Sequence, residues 1–367
     1  PMGKRTFRHN ILHPITCREK IVRKYDITEY LLNTEYWSPW RHELKNISDV
    51  EKFKRQIYLK RITPCNLFGF YENLSTIQIL FSGLVDDRTI TSYLQEDMTM
   101  DIDETCISFK KVFNDRFVMD KCKDVSTFDF DINFIKRGVN DELDKYIDKR
   151  QDSINQLESI RSYYDKLIER TERSSRSGFV KVHETDKAGI TLQCTSRRSK
   201  ILIQQIRTGE NKVQLQFINS SNNPEEFDFN PEVYSSIASG SNVNLTNEFI
   251  VKLCNGIVES KQKMKDLITL IYNQFIHDLQ NYETQLSNLV QFCSSIDLLQ
   301  NMCYIATKYN YHKPSIKTDD KSYIIAKELR HPLIEQLNSE ELYVTNEHNS
   351  CIGYKFDNGP SWTVCSV

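Results

Sequence analysis

The side chains best suited to chemistry in this sequence form a basic cluster between Arg170 and Lys212. This stretch holds ten Lys or Arg residues against four Asp or Glu, in a chain of 367 residues whose formal net charge is −2. Such a local excess can neutralise backbone phosphates and release their counterions, which requires no reading of base sequence. The alternative is that these charges belong to a solvated loop face without a partner.

Other reactive residue types lack the spacing that their chemistry needs. His9 and His13 are four residues apart, as two metal ligands on a helix would be, but no third ligand lies near them in the sequence. None of the ten cysteines lies in a nucleophile motif or at zinc-ligand spacing, and the pattern G-x-x-x-x-G-K-[ST] is absent. We therefore expect this chain to have no catalytic or metal-binding residues and not to be an enzyme by itself.

Two long amphipathic segments, about 141–170 and 246–300, would position the basic cluster, which lies mostly between them. Their apolar residues recur every three or four positions, which is the period of a helix. In the first arm these are Leu143, Ile147, Ile154, Leu157, Ile160, Tyr164 and Ile168. The same spacing in the second arm predicts one unbroken helix. Its apolar residues are Leu267, Ile271, Phe275, Leu279, Tyr282, Leu286, Leu289 and Cys293. We expect an antiparallel coiled pair, with residues near 150 beside residues near 290; two core helices of a bundle are the alternative.

Between the arms the pattern changes to the two-residue period of β-strands. Apolar and polar residues alternate around Val180–His183, Ile190–Thr195 and Val213–Phe217, which predicts a small antiparallel sheet. The polar stretch 219–247 is expected to be a connection, and Arg197, Arg198 and Lys200 are expected in a turn after the second strand. We also expect this insert to be a mobile unit at the end of the arms, with few buried contacts to the helical core.

The first 130 residues read as short helices. Thr16 is a candidate N-cap with Glu19 following, and Thr63-Pro64 reads as N-cap and first helical residue, whereas Trp37, Pro39 and Trp40 read as a break. Asn140 would cap the first arm.

Near the end of the chain, Tyr323–Ala326 and Tyr343–Thr345 are predicted to be strands. The sequence thus predicts a mainly α fold with a small antiparallel β insert. No signal peptide or long apolar run is present, so we expect an intracellular, reduced protein whose compartment (nucleus, cytoplasm or organelle) stays open.

Five short motifs, in order along the chain, resemble the MutS family of mismatch-repair ATPases. They are Pro1-Met2-Gly3-Lys4-Arg5 leading to Leu12-His13-Pro14, then Arg61 to Leu67, Ile135 to Asp144, Arg330-His331-Pro332-Leu333-Ile334-Glu335, and Tyr343-Val344-Thr345-Asn346-Glu347. The second motif has Asn66 where the family has Asp. The segment from Gln193 to Arg198 is similar to the corresponding segment in an organellar or giant-virus branch of this family.

The resemblance implies a helical core, two coiled lever arms, a β-rich clamp at their tip and the start of an ATPase domain. The corresponding boundaries are 1–130 for the first part of the core, 131–177 for lever arm 1, 178–245 for the clamp, 246–305 for lever arm 2, and 306–367 for the core end and first ATPase strands. The family's mismatch-reading domain and phosphate loop have no counterpart here, so a fragment of a longer protein is expected. His331-Pro332 is expected to be structural.

The resemblance implies that this chain is a non-catalytic portion of a DNA mismatch repair protein. This portion would grip the backbone of duplex DNA. Double-stranded DNA is the expected partner, and the full-length parent is expected to form a homodimer or a MutS-type heterodimer and to use ATP and Mg. No cofactor is expected for this chain, although Tyr343 and Val344 correspond to the adenine-contact position, with plain strand residues as the alternative. The rival interpretation is a structural coiled-coil protein of chromosome maintenance or recombination, whose arms pair between chains. The candidate DNA-binding residues are Lys181, Lys187, Arg197, Arg198, Lys200, Arg207 and Lys212.

Overall fold

The computed structural model describes residues 2–95, 101–172, 178–185, 189–209, 211–239, 241–317, 322–337 and 344–352. The described part is mainly helical with small antiparallel sheets, as the sequence predicts. The chain forms two compact units: unit 1 comprises residues 1–59, 69–111 and 280–367, and unit 2 comprises residues 60–68 and 112–279. No helix among the described residues is long and apolar enough to cross a membrane.

Among the described residues, eight helices precede the first long arm. Their bounds are α1 Met2–Leu12, α2 Arg18–Thr34, α3 Trp37–Asn46, α4 Val50–Tyr58, α5 Pro64–Ser82, α6 Arg88–Gln95, α7 Ile102–Arg116 and α8 Met119–Cys122. Trp37, Pro39 and Trp40 therefore open a helix instead of breaking one. Pro39 is tolerated because it lies in the first turn, where backbone N–H groups have no partner within the helix.

Two of the three predicted caps are confirmed. Thr63 Oγ1 accepts a hydrogen bond from the Asn66 backbone N–H at 3.3 Å, with Pro64 as the first helical residue. Asn140 Oδ1 accepts from the Leu143 N–H at 2.8 Å. The cap at Thr16 is wrong, because α2 begins at Arg18 and its N-cap residue is Cys17, whose thiol donates to Glu19 Oε2 at 2.9 Å.

Unit 1 is built around helix α12 (Glu283–Tyr309), which packs against α1, α2, α3 and α4. Its apolar residues are buried on a wide face, including Leu289, Phe292 and Ile296, because several helices cover it. Phe53 stacks on Phe70 with ring centroids 4.1 Å apart. The chain after α12 adds an antiparallel pair, β7 Ser322–Leu329 and β8 Asn346–Ile352, and the short helix α13 Pro332–Leu337.

Unit 2 contains the long helices α9 (Asp141–Glu172) and α11 (Glu248–Asp278), which pack along each other. Tyr146 and Lys149 of α9 lie beside residues 259–263 of α11, whereas residues 157–168 share a core with residues 250–257, so the two helices run antiparallel. Antiparallel pairing within one chain is the expected arrangement. The register differs from the prediction, since residues near 150 meet residues near 260 and not residues near 290.

The second arm is not one unbroken helix, which corrects the prediction for 246–300. Helix α11 ends at Asp278, a 3-10 turn covers Leu279–Tyr282, and α12 begins at Glu283. The Leu279 N–H donates to the carbonyls of both Phe275 and His277, which tightens the last turn. The turn is four residues long and contains no Gly or Pro. The helical spacing of apolar residues therefore continues through it, and the sequence pattern does not show where α11 ends.

The insert between α9 and α11 contains more regular structure than the sequence indicates. Its elements are β1 Lys181–Thr185, β2 Gly189–Thr195, α10 Ser196–Arg207, β3 Val213–Ile218, β4 Pro224–Phe229, β5 Tyr234–Ser239 and β6 Asn242–Thr246. Four strands form an antiparallel sheet in the order β1-β2-β6-β5, and β3 pairs with β4 as a separate hairpin. The expected connection at 219–247 thus holds three strands, and the expected turn after β2 is a helix.

The insert packs against the adjoining ends of the two long helices. Leu192, Leu202, Leu215 and Leu245 are buried in one cluster with side chains of α9 and α11. The insert and the adjoining ends of the two long helices therefore share a single hydrophobic core.

Candidate nucleic-acid interface

Helix α10 positions most of the candidate basic residues. Its buried side is formed by Ser199 and Leu202, with Ile203 and Ile206 packed against the same core. The opposite side exposes Arg197, Lys200 and Arg207, which we call the basic face. At 3.6 residues per turn these three positions lie within roughly 80° of one another and span ~15 Å of helix. The sequence Ser196–Arg207 contains no acidic residue.

The beginning of α10 is rich in positive charge. Thr195 is the N-cap residue but makes no side-chain cap hydrogen bond, and the first turn carries Arg197 and Arg198 without an acid. Because the N-terminal end of a helix is the positive end of its dipole, cations there are unfavourable unless an anion compensates them. The Ser196 N–H donates to the Ser241 carbonyl at 2.8 Å, which ties this end of the helix to the start of β6.

Glu172, the last residue of α9, supplies part of that compensation. Its carboxylate lies 3.5 Å from Arg197 Nη2 and 3.8 Å from Arg198 Nε. Arg198 is further held over the ring of Phe179 at 4.5 Å, and its side chain is 30% exposed. Arg197 is 82% exposed. Of this pair, Arg197 is the side chain that presents its donors to solvent.

The remaining candidate residues lie on other elements. Lys181 is exposed on β1, an edge strand of the sheet, where it pairs with Gln193. Lys212 is exposed just before β3. Lys187 lies outside the described residues. The structure therefore brings Arg197, Lys200 and Arg207 together along one helix and does not add Lys181 or Lys212 to that face.

The rest of the insert is not basic. Residues 178–245 contain seven Lys or Arg and seven Asp or Glu. The β3–β4 hairpin carries acidic residues whose carboxylates accept from neighbouring amides; Glu226, for example, accepts from Gln214 at 2.6 Å and from Gln216 at 2.6 Å. Four of the seven basic residues of the insert lie on α10, which contains no acidic residue. The signal for this helix was present in the sequence, since residues 199, 202, 203 and 206 follow the helical period.

The other candidate chemistries gain no support. The rings of His9 and His13 lie 4.6 Å apart, and among the described residues no group of three or more His, Cys, Asp or Glu side chains is placed to hold a metal ion. Burial raises the pKa of the Cys194 thiol to about 11 and that of Cys106 to about 12. These thiols are protonated at neutral pH and therefore weak nucleophiles.

The proposed adenine-contact position is described only in part. Tyr343 lies outside the described residues. Val344 is 78% exposed and precedes β8, which begins at Asn346, so the strand expected at 343–345 starts later than predicted.

Similarity to known proteins extends over most of the chain. A family model described as MutS domain III matches residues 1–302. A protein of Acanthamoeba polyphaga mimivirus, named as a DNA mismatch repair MutS homologue, is 26% identical over 361 residues, covering 95% of this chain and 31% of the relative. DNA mismatch repair protein MutS of Clostridium kluyveri is 25% identical over 354 residues, covering 94% of this chain and 35% of the relative.

A third relative, MutS of Thermotoga neapolitana, is 24% identical over 357 residues, which cover 95% of this chain and 38% of the relative. The chain thus spans about a third of the length of these curated relatives.

Proposed function

Because this chain belongs to the MutS family, we propose that it supplies the core, lever and clamp of a DNA mismatch repair protein and binds the backbone of duplex DNA without reading its sequence. In this proposal α9 and α11 form the lever, and the insert (residues 178–245) is the clamp. The observation that carries it is the basic face of α10: three exposed cations on a helix without an acidic residue.

The physical argument rests on the spacing and type of these cations. Duplex DNA carries one charge per ~3.4 Å along each strand, so a face ~15 Å long matches several consecutive phosphates. Arg197 offers a planar fork of N–H donors suited to phosphate oxygens, and Lys200 offers a mobile point charge. A phosphate near the start of α10 would also compensate the unfavourable position of cations at a helix N-terminus.

The test is a charge reversal on the basic face. The double variant Arg197→Glu, Lys200→Glu should bind matched and mismatched duplexes more weakly, and by the same factor for both. Each lost phosphate contact should reduce the slope of log K against log salt by ~0.9. Fluorescence anisotropy of labelled duplexes over a salt series measures both quantities.

The matched control is Lys145→Glu, Lys149→Glu, which reverses the charges of two exposed lysines on α9 outside the clamp. It should leave affinity and slope close to those of the unmodified chain. Unchanged binding by a folded Arg197→Glu, Lys200→Glu variant would refute the proposal that α10 contacts DNA.

Coupling to ATP hydrolysis is the second part of the proposal. A longer parent protein would bind ATP and Mg, dimerise with itself or with a related subunit, and move the clamp through the stiff α9–α11 pair. This chain itself contributes no phosphate-binding loop. The pairing of α9 with α11 within one chain favours this arrangement over the rival coiled-coil protein, whose arms would have to pair between chains.

A further inference from the structure

A cavity of about 530 Å³ lies among the helices of unit 1. Side chains of α1, α2, α4, α6 and α12 line it. Small-molecule sites commonly have volumes of ~300–1,000 Å³, so the cavity is large enough for a small organic ligand. Its polar lining includes Thr6, Asn10, Lys24, Lys54, Gln291 and Ser295.

Lys24 is the charge in this cavity that is not compensated. Two other charged groups in the lining have partners: Lys54 Nζ lies 3.2 Å from a Glu283 carboxylate oxygen and 2.7 Å from Ser287 Oγ, and Glu51 accepts from Arg5 Nε at 2.5 Å. The Lys24 ammonium has no ion pair or side-chain hydrogen bond within the described parts of the chain. Burial lowers the pKa of Lys24, because desolvation penalises the charged form.

We propose that this cavity binds a small phosphate ester of about nucleotide size, with the phosphate group held by the ammonium group of Lys24. A partly buried cation without a partner is destabilising, and an anionic ligand would remove that cost.

A phosphate fits the cavity's donors better than a carboxylate does. The cation is a lysine, which binds phosphate as a point charge, whereas planar carboxylates are best matched by the paired N–H groups of arginine. The nearby arginine, Arg5, is already bound to Asp49 and Glu51. A phosphate monoester also brings three strong acceptor oxygens, which hydroxyl and amide donors such as Ser295 and Gln291 can satisfy.

Isothermal titration calorimetry with three probes tests the proposal. Adenosine 5′-monophosphate should bind, inorganic phosphate should compete with it, and adenosine, which has no phosphate, should bind at least about tenfold more weakly. The variant Lys24→Met should weaken binding of adenosine 5′-monophosphate by about tenfold or more, since it removes a charge-assisted contact. The ligand-free variant should melt at a higher temperature, because an uncompensated charge is lost.

Two control variants make the result specific. Lys52→Ala removes an exposed lysine from α4, two residues from Lys54 and outside the cavity lining, and should not alter binding. The Arg197→Glu, Lys200→Glu variant should also bind normally, which separates this cavity from the basic face of α10.

A second variant in the cavity tests the proposal even if Lys24→Met does not fold. Ser295→Leu should block binding by filling the cavity. No binding of adenosine 5′-monophosphate at millimolar concentration, equal binding of adenosine, or full binding by both folded cavity variants would overturn the proposal.

Discussion

At the scale of single residues, the Glu172 carboxylate contacts both arginines at the start of α10. It lies within 4 Å of Arg197 and Arg198, and the Glu172 side chain is only 13% exposed. A DNA phosphate and this carboxylate would compete for the same guanidinium groups. The ion pair is long and Arg197 is largely in solvent, so the competition should be weak.

We predict that Glu172→Gln strengthens DNA binding about two- to fivefold, which is the range expected from losing a partly exposed ion pair. Anisotropy measurements at low salt would show it most clearly, because salt screens exposed charges. Glu169→Gln is the matched control: it removes the same charge from an exposed position of α9 and should have a smaller effect. Equal gains in both variants would mean that net charge, and not the contact with Arg197, sets the affinity.

A second carboxylate, Asp165, holds the start of the insert on α9. It accepts hydrogen bonds from the backbone N–H groups of Gly178 at 2.8 Å and Val180 at 2.7 Å, and Arg161 lies 3.4 Å away. We predict that Asp165→Ala destabilises the fold by about 3 kcal/mol, because buried N–H donors lose their acceptor, and that Asp165→Asn costs less since one oxygen remains. Urea denaturation measures both; losses below about 1 kcal/mol would contradict this role.

At the scale of elements, helix ends differ in how they are fixed. Asn247 caps α11, and its Oδ1 accepts from the Ile250 N–H at 2.7 Å. Its amide nitrogen also donates to the carbonyls of Asn230 and Glu232. This one side chain therefore joins the start of α11 to the connection between β4 and β5. By contrast, Thr195 at the start of α10 makes no cap bond.

The predicted consequence is a difference between two alanine variants at equivalent helix positions. Asn247→Ala should lower stability by about 1–2 kcal/mol, since it removes a cap and two further hydrogen bonds. Thr195→Ala should change stability by less than about 0.5 kcal/mol. Thermal and urea unfolding of both variants test this, and similar losses would show that the Asn247 contacts are not what stabilises this helix end.

At the scale of the whole molecule, charge and motif content limit what the chain does. The net charge of −2 and the balanced insert leave α10 as a local source of positive potential. The DNA binding proposed for such a small face should be weak and strongly dependent on salt. ATP chemistry needs groups that surround the phosphates and Mg²⁺, and the sequence lacks the motif that provides them.

We therefore predict that the isolated chain has no ATPase activity above background. A coupled assay for ADP release, repeated after a second purification step, measures this directly. Turnover that persists through repurification in constant proportion to the protein would contradict the prediction and would require a phosphate site that the sequence does not reveal.

Local sequence determined the features that depend on neighbouring residues. The three-to-four-residue period of α9 and the side chains of Thr63 and Asn140 suffice to place helices and their beginnings, because helix and cap hydrogen bonds join residues close in sequence. The strands near 190 and 213 were predicted for the same reason: alternation is visible within six residues. The ordered motifs likewise sufficed to identify the MutS family.

Tertiary structure alone decided the features that depend on distant partners. Strand β6 lies between β2 and β5, with Leu245 opposite Leu192, and this pairing lets a segment rich in Asn and Ser form strands. Helix α10 replaces the expected turn because its apolar side packs into the core shared by α9 and α11. Arg198 is held by Phe179, just before β1, and by Glu172, at the end of α9, whereas Arg197 faces solvent. Such contacts join residues far apart in the chain, and no local pattern records them.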